Sequence, residues 1–561
     1  MRRVLALGLL FLGLAVAGVA SSTHPAVKKH SAGSAKQSNG MIAALHNVQA
    51  ERIRADVKYL SSDALEGRGT GTKGGDLAAG YIAKQFKEAG LEPAGDNGSY
   101  FQKVPMVGIT TMPGTTVKVK TPKQTMTLTL LDDVVVFNLD QHEISDVNAG
   151  VIFVGYGITA PEFAWDDYAG ANVKGKVLLM LVNEPPSNDP KYFSGKALTY
   201  YGRWTYKFEQ AARMGAAGVI LIHKTDMASY GWEVVRSSWS GERSGLAADP
   251  EPKLALASWV QLEKARAILA DAGQNLDALI AAAQKKGFQP IPLPLQVSSH
   301  VISGIRHFDS NNVIGKVSGS DPELKKQAVI FTAHYDHLGI RPNQPGDNIY
   351  NGALDNASGT AMVIEMARAV AAVPVKAKRS MYFASVTAEE QGLWGSEYLG
   401  KHPPVPASEI ALNLNYDSIK PLGIPKEVEA AGYQRTTLAA IFEKTAADFK
   451  LKILQPEHPE NGGYYRSDHF SFAKVGVPAF SIGSGEHFTG HPESWVKSTS
   501  EAMDKSYHQP SDQFKEEYDY RSNAVLARFG IALGFRAADQ TELVQWKPGD
   551  EFEKARKGSR Q

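Results

Sequence analysis

The sequence predicts an α/β protein: a mixed, mostly parallel sheet flanked by helices, with a smaller α/β module inserted ahead of the main unit. Three observations carry this. From about Ile302 to Ala538, short β-rich apolar runs alternate with stretches of helical period, the order that builds parallel strands joined by helical crossovers. Between about Gly150 and Pro290, a second series of short apolar runs is bounded by glycines. Hydrophobic residues, 43% of the 561, are spread along the length beside 21% charged residues, the balance of a globular chain. At about 150 residues per domain, that length holds roughly three or four domains' worth of polypeptide.

At the start, Arg2 and Arg3 precede the apolar run Val4 to Val16, and small residues Ala17, Gly18 and Ala20 follow. A positive segment, a short apolar core and a small-residue end make residues 1–20 an expected signal peptide; the run is shorter than the ~20 residues a membrane span needs. Cleavage near Ala20 would remove two arginines and no acid, taking the formal charge from +1 to −1. Export to the periplasm or the medium is therefore expected, with no stable membrane insertion afterwards. The chain has no cysteine, which excludes disulfides and a lipoprotein anchor. Its near-zero charge lacks the basic field that nucleic-acid binding needs.

Residues 21–40, rich in Ser, Ala, His and Lys, read as a flexible linker. Residues 41–149 are expected to be the N-terminal part of the main unit. Helical period runs from Ile42 to about Leu60 and again from Leu77 to Ala89. Between them lies the loop Gly67-Arg68-Gly69-Thr70-Gly71-Thr72, which lacks the Gly-Lys-Ser/Thr ending of a phosphate loop and reads as a structural turn. Residues 150–290 form the inserted module, with stretches at Val151–Gly157, Gly175–Val182 and Ala211–Ile222 and one helix before Gly215. Residues 296–545 form the main unit, with strands at Val329–Thr332, Ser380–Val386 and Ile410–Asn415 and helices at Ala357–Val370 and Ser396–Leu399. The charged segment 546–561 is expected to be a mobile tail. The sequence carries no signal for an oligomeric state.

The strands of the main unit run into an unusual set of residues. The first leads into Ala333-His334-Tyr335-Asp336-His337-Leu338-Gly339, and the next loop is Gly352-Ala353-Leu354-Asp355-Asn356-Ala357-Ser358-Gly359. Val386-Thr387-Ala388-Glu389-Glu390 follows the second strand, and Asn415-Tyr416-Asp417 the third. Open α/β sheets bind ligands beyond the carboxyl ends of their strands, so these pieces would converge on one crevice. Taken singly, each has a plain reading: Glu389-Glu390 as a solvated helix start, Asp355-Asn356 as a turn and cap. Together, several carboxylates in one place repel and resist desolvation unless a cation neutralises them. Imidazole and carboxylate donors without thiols suit zinc, with cobalt or manganese as substitutes. Two ions sharing one carboxylate would use about five ligands, the number left when one Glu serves as base. Asp336, two residues after His334, is placed to orient an imidazole.

This ordered set resembles the zinc aminopeptidase family that contains bacterial leucyl aminopeptidases, aminopeptidase Y and glutamate carboxypeptidase II. The resemblance implies a zinc exopeptidase fold, with residues 150–290 similar to a protease-associated domain that acts as a lid. It implies that His334 and Asp417 bind one zinc ion, Glu390 and His508 a second, that Asp355 bridges them, and that Glu389 is the general base. His508 lies in Tyr507-His508-Gln509-Pro510-Ser511-Asp512, similar to the family's last ligand motif. Gly463-Tyr464-Tyr465-Arg466-Ser467-Asp468-His469 resembles the loop that supplies an oxyanion donor, with Tyr464 the better match by its offset from Ser467 and Tyr465 the alternative. His337, His469, His487 and His491 read as structural or surface residues, His469 being the one most open to a role. The implied activity is removal of N-terminal residues from peptides. Rival readings are a glutamate-carboxypeptidase-like or aminoacylase-type metallo-carboxypeptidase and, from another class, a non-catalytic receptor or scaffold. The last predicts broken ligand motifs, and here all are intact.

Overall fold

The computed structural model describes residues 39–558 apart from 248, 343–344 and 457. The expected signal peptide and nearly all of the expected linker lie outside the described residues. Among the described residues, no helix is long and apolar enough to cross a membrane.

The main unit is built on four parallel strands in the order Ala479–Ser481, Ile410–Asn415, Ala328–His334 and Ser380–Val386. Every residue of the last three is buried, which is why they read as unbroken apolar runs and not as alternating ones. Successive side chains leave a strand on opposite faces. Val329, Phe331 and Ala333 therefore meet the helices Ser358–Ala371 and Arg521–Ala538, while Ala328 and Ile330 meet Leu399 and Phe472 from the helices Trp394–Lys401 and His469–Lys474. Phe331 stacks on Phe383 of the neighbouring strand, centroids 5.1 Å apart. The central helix Ser358–Ala371 is buried almost all round, and its one buried acid, Glu365, is held by Arg52 at 2.7 Å.

The insert repeats the theme. Strands Ile144–Phe153, Val177–Leu181, Gly218–Ile222 and Leu256–Val260 run parallel, with Val134–Phe137 antiparallel at the edge. This unit begins earlier in the chain than the apolar runs after Gly150 suggest. Val117, Val119, Val134 and Val136 bury in the same core as Leu179 and Ile220, so their strands join the insert. Residues 44–91, by contrast, pack into the main core, Ile53, Val57, Ile82 and Phe86 among them. The two halves also share a strand. The 27-residue strand Ile291–Val317 pairs antiparallel with Ile144–Phe153 at its start, with Phe101–Thr111 in its middle and with Ser380–Val386 at its end. Among the described residues a single 15-stranded sheet results, with a parallel core in each half and antiparallel strands at the join and the edges.

The expected mobile tail is packed instead. Trp546 donates its indole N–H to Gly476 O at 3.0 Å, Phe552 is buried, and Asp550 and Glu551 both accept from Arg435. Arg556 reaches Ala407 O and Ile410 O at 2.7 and 2.9 Å. Asp550, Glu551 and Arg556 are thus spent on partners elsewhere in the chain, which composition alone does not reveal.

Candidate metal centre

His334 ends its strand, Glu389 and Glu390 follow the next, and Asp417 lies two residues past Asn415. Asp355 comes from the loop that turns into helix Ser358–Ala371. Gly352 makes that turn at φ 54°, and a Cβ there would stand 2.1 Å from Asp355 O and 2.6 Å from the His337 ring. Only glycine fits. His508 arrives from the far end of the chain, just after helix Glu493–Ser506.

These side chains form two clusters that share one residue. His334 Nε2 lies 3.3 Å from Asp355 Oδ1 and 3.3 Å from Asp417 Oδ1. His508 Nε2 lies 3.2 Å from the other Asp355 oxygen, Oδ2, and 3.0 Å from Glu390 Oε2. Ligand atoms ~2.0–2.2 Å from one tetrahedral zinc ion stand about 3.3–3.5 Å apart, so both donor sets have the spacing of a ligand shell around one cation. The donors are imidazole and carboxylate, and the residues present therefore fit divalent cations. Glu389 Oε2 sits 4.0 Å from His334 Nε2, beside both clusters and in neither.

The electrostatics follow from crowding. Burial pushes Glu389 well above the usual carboxylate range; His334 opposes this, and the charges of Asp417 and Glu390 add to it. Burial alone would raise Asp355, but contacts with His334 and His508 hold it well below its ordinary value. Burial likewise would lower His508, yet Asp355 and Glu390 raise it to about 10. Protons on the imidazoles thus balance the acids here, the role a bound cation takes over when it displaces them.

A hydrogen-bonded frame holds the donors. Asp512 accepts from the backbone N–H of Leu354 and Asp355 at 2.9 and 3.0 Å. Ser467 donates to Asp417 Oδ2 at 2.6 Å, and Asn415 donates to Ser467 in turn. Thr360 donates to His334 O at 2.7 Å. Asp336 works differently from the expected imidazole-orienting carboxylate: its carboxylate is 3.8 Å from His334 Nδ1, and its backbone carbonyl, at 3.2 Å, is the nearer partner. The carboxylate accepts instead from the Glu389 N–H at 3.1 Å and so fixes the loop that carries that residue.

Two tyrosines change places. Tyr464, expected as an oxyanion donor, is buried and donates its hydroxyl to Ala479 O at 2.8 Å, under Arg435 and against His469. Its neighbour Tyr465 donates to Glu551. Both hydroxyls are committed to the core. Tyr507 is 59% exposed and stacks on His508 at 3.9 Å. It is a phenol at the edge of the centre, and its position next to His508 in the sequence was the available signal.

His337, read from sequence as structural or surface, belongs to the centre. It is buried, with Nδ1 2.6 Å from Glu390 Oε1 and 4.0 Å from Asp355 Oδ2, and it forms a third donor group with those two residues. A second imidazole in the same strand-end loop as His334 was its only sequence signal. The remaining histidines lie elsewhere: burial lowers His469 to about 4 against Tyr464, while His487 and His491 pair with Glu427 and Asp519.

Comparison with known proteins agrees with this geometry. The model of peptidase family M28 matches residues 312–532. Leupeptin-inactivating enzyme 1 of Streptomyces exfoliatus is 31% identical over 213 residues, 37% of this chain and 46% of that protein. Leucine aminopeptidase 2 of Trichophyton rubrum is 27% identical over 253 residues, 43% of this chain and 45% of that one. The chain thus spans just under half the length of these curated relatives. Among solved structures, the aminopeptidase from Aneurinibacillus sp. strain AM-1 superposes with a TM-score of 0.50 at 20% identity, covering 91% of this chain and 98% of its own, a likeness of fold. The residues matched to peptidase family M28, 312–532, are those that gather His334, Asp355, Glu389, Glu390, Asp417 and His508 into one crevice.

Proposed function

We propose that the chain is a dinuclear zinc exopeptidase that removes N-terminal residues from peptides, with Glu389 as general base. The observation that carries this is the sharing of Asp355: one carboxylate oxygen stands with His334 and Asp417, the other with His508 and Glu390. Asp355 would be shared by two zinc ions, with His334 and Asp417 holding one and Glu390 and His508 the other; cobalt or manganese would substitute. Bound there, the pair would polarise the scissile carbonyl and acidify water.

The chain's own residues do the rest. Glu389, whose burial and acidic neighbours give it a high proton affinity, takes the proton of the attacking water and returns it to the leaving amine. Asp336 holds the Glu389 backbone in place during both transfers. Tyr507, not Tyr464, is the phenol available to the developing oxyanion. Contacts of the insert with the main unit support a protease-associated lid role for it: Leu198 N–H donates to Pro459 O, and Tyr200 packs on Tyr465 and Phe470, which flank Ser467 on either side. The N-terminal arginines, apolar run and small residues support export.

The test is a panel of free and N-blocked aminoacyl substrates, assayed as purified, after chelation and after zinc is restored. Hydrolysis of free substrates that is lost on chelation and regained with zinc is expected. Hydrolysis of blocked substrates alone would overturn the aminopeptidase assignment, and chelator-insensitive activity would overturn the metal.

A further inference from the structure

The loop 67–72, which the sequence presents as a simple turn, runs directly behind the centre. Arg68 is fully buried there. Its Nε donates to Tyr335 O at 2.6 Å, Nη1 to Leu60 O and Asn351 O at 2.6 Å each, and Nη2 to Gly352 O at 2.9 Å. Tyr335 follows His334, while Asn351 and Gly352 lead to Asp355. One rigid guanidinium fork therefore ties together the two loops that deliver His334 and Asp355. Burial lowers Arg68 to about 10, against the charges of Asp512, Asp336, Asp355 and Glu390, so it is a fixed cation set among the acids of the centre.

The same loop reaches the other parts of the site. Arg68 O accepts from the His337 N–H at 3.2 Å. Thr70 donates to Asp336 Oδ2 at 3.0 Å, and the other oxygen of Asp336 holds the Glu389 N–H. The loop is shaped for this: Gly67 sits at φ 65°, and a Cβ there would come within 2.5 Å of Tyr350 O and 2.7 Å of Gly339 O.

We propose that Arg68 is a positioning residue of the metal centre, holding the His334 and Asp355 loops at ligand spacing, and that Thr70 does the same for Glu389 through Asp336. This rests on the reading of the centre as a cation site. A residue that merely packs would lower the stability of the cation-free fold without altering cation affinity or the proton-transfer step.

The test uses the full chain with Arg68→Met, Arg68→Lys, Thr70→Val and Thr70→Ser. Zn2+ affinity is measured by chelator competition, ligand geometry by the visible spectrum of Co2+-loaded protein, and the cation-free fold by thermal melting. Arg68→Met should bind Zn2+ roughly 10–100-fold more weakly with an altered cobalt spectrum, Arg68→Lys lying between it and the parent. Should Arg68→Met not fold, Thr70→Val decides: kcat falls about tenfold or more at unchanged KM and zinc content, and Thr70→Ser restores it. Parental zinc affinity and cobalt spectrum in folded Arg68→Met, or parental kcat in Thr70→Val, would overturn the proposal. A parent chain that binds no divalent cation would instead sink the reading of the centre.

Discussion

The two halves of the sheet are built alike and loaded differently. Both have a parallel core of buried aliphatic strands. In the main unit the strand ends deliver His334, Glu389, Glu390 and Asp417 to one crevice. In the insert they lead to Tyr156, Glu184 and His223, and its charged residues turn inward. Lys207 is fully buried and donates to Tyr201 O at 2.6 Å; Asp167 accepts from Trp165 and Ile158, and Glu184 from Thr199. The acids of the insert are satisfied by protein donors, whereas those of the main unit face one another. Sheet architecture supplies the place, and the residues at the strand ends decide whether it becomes a centre.

Five substitutions can break or sharpen this contrast. The largest effect belongs to the shared carboxylate: Asp355→Ala should lose both cations and reduce turnover to background, measured by metal analysis beside the peptidase assay. A chain that still holds two cations would show that Asp355 is no bridge. Next, Glu389→Ala should keep its cations while kcat falls roughly 10²–10⁴-fold, and parental turnover would remove the assigned base. The tyrosines give the third comparison. Tyr507→Phe should lower kcat by roughly 10²-fold with little change in melting temperature. Tyr464→Phe should do the reverse, costing about 1 kcal/mol of stability at near-parental kcat, because its hydroxyl serves Ala479 O.

The smallest effect on catalysis is expected in the insert. Lys207→Met should destabilise the fold by about 3 kcal/mol and leave cation affinity unchanged. Burial has raised Asp167 and Glu184 to about 7, against the charge of Lys207. Carboxyls raised in the folded state favour folding at low pH and lose that contribution as pH rises through their folded values. Without the lysine both rise further, so the loss should be larger at pH 8 than at pH 5, read from denaturant melts at the two values. A pH-independent loss would show that Lys207 acts through packing alone.

Much of this was legible in the sequence. Ser380–Val386 and Ile410–Asn415 coincide with their apolar runs, and the structure brings all five expected ligands and the expected base within one crevice. Local signals sufficed for His334, Glu389, Glu390 and Asp417, which end or follow strands announced by their own apolar runs; Asp355 precedes a helix, and His508, which follows one, was legible only through the family motif. The rest depends on partners distant in sequence. Ile291–Val317 contains two prolines, two glycines and many polar residues, so neither propensity nor alternation marks it as one strand. His337 gains its place only through Glu390, and Tyr464 loses its expected one only through Ala479. The charges of Asp550 and Glu551 read as solvated until Arg435 supplies their partner.

The long shared strand has a mechanical consequence. At about 3.3 Å per residue, its 27 residues form a beam some ~90 Å in contour, continuous from the insert to the neighbour of the strand that precedes Glu389 and Glu390. Two bodies joined by a linker can swivel freely; two joined by a common backbone ladder cannot, because rotation would shear the hydrogen bonds on either side. The one slip in its register, between Leu293 and Gln296, lies at the far end. A rotation of the insert would therefore be passed to Ser380–Val386, the strand that precedes Glu389.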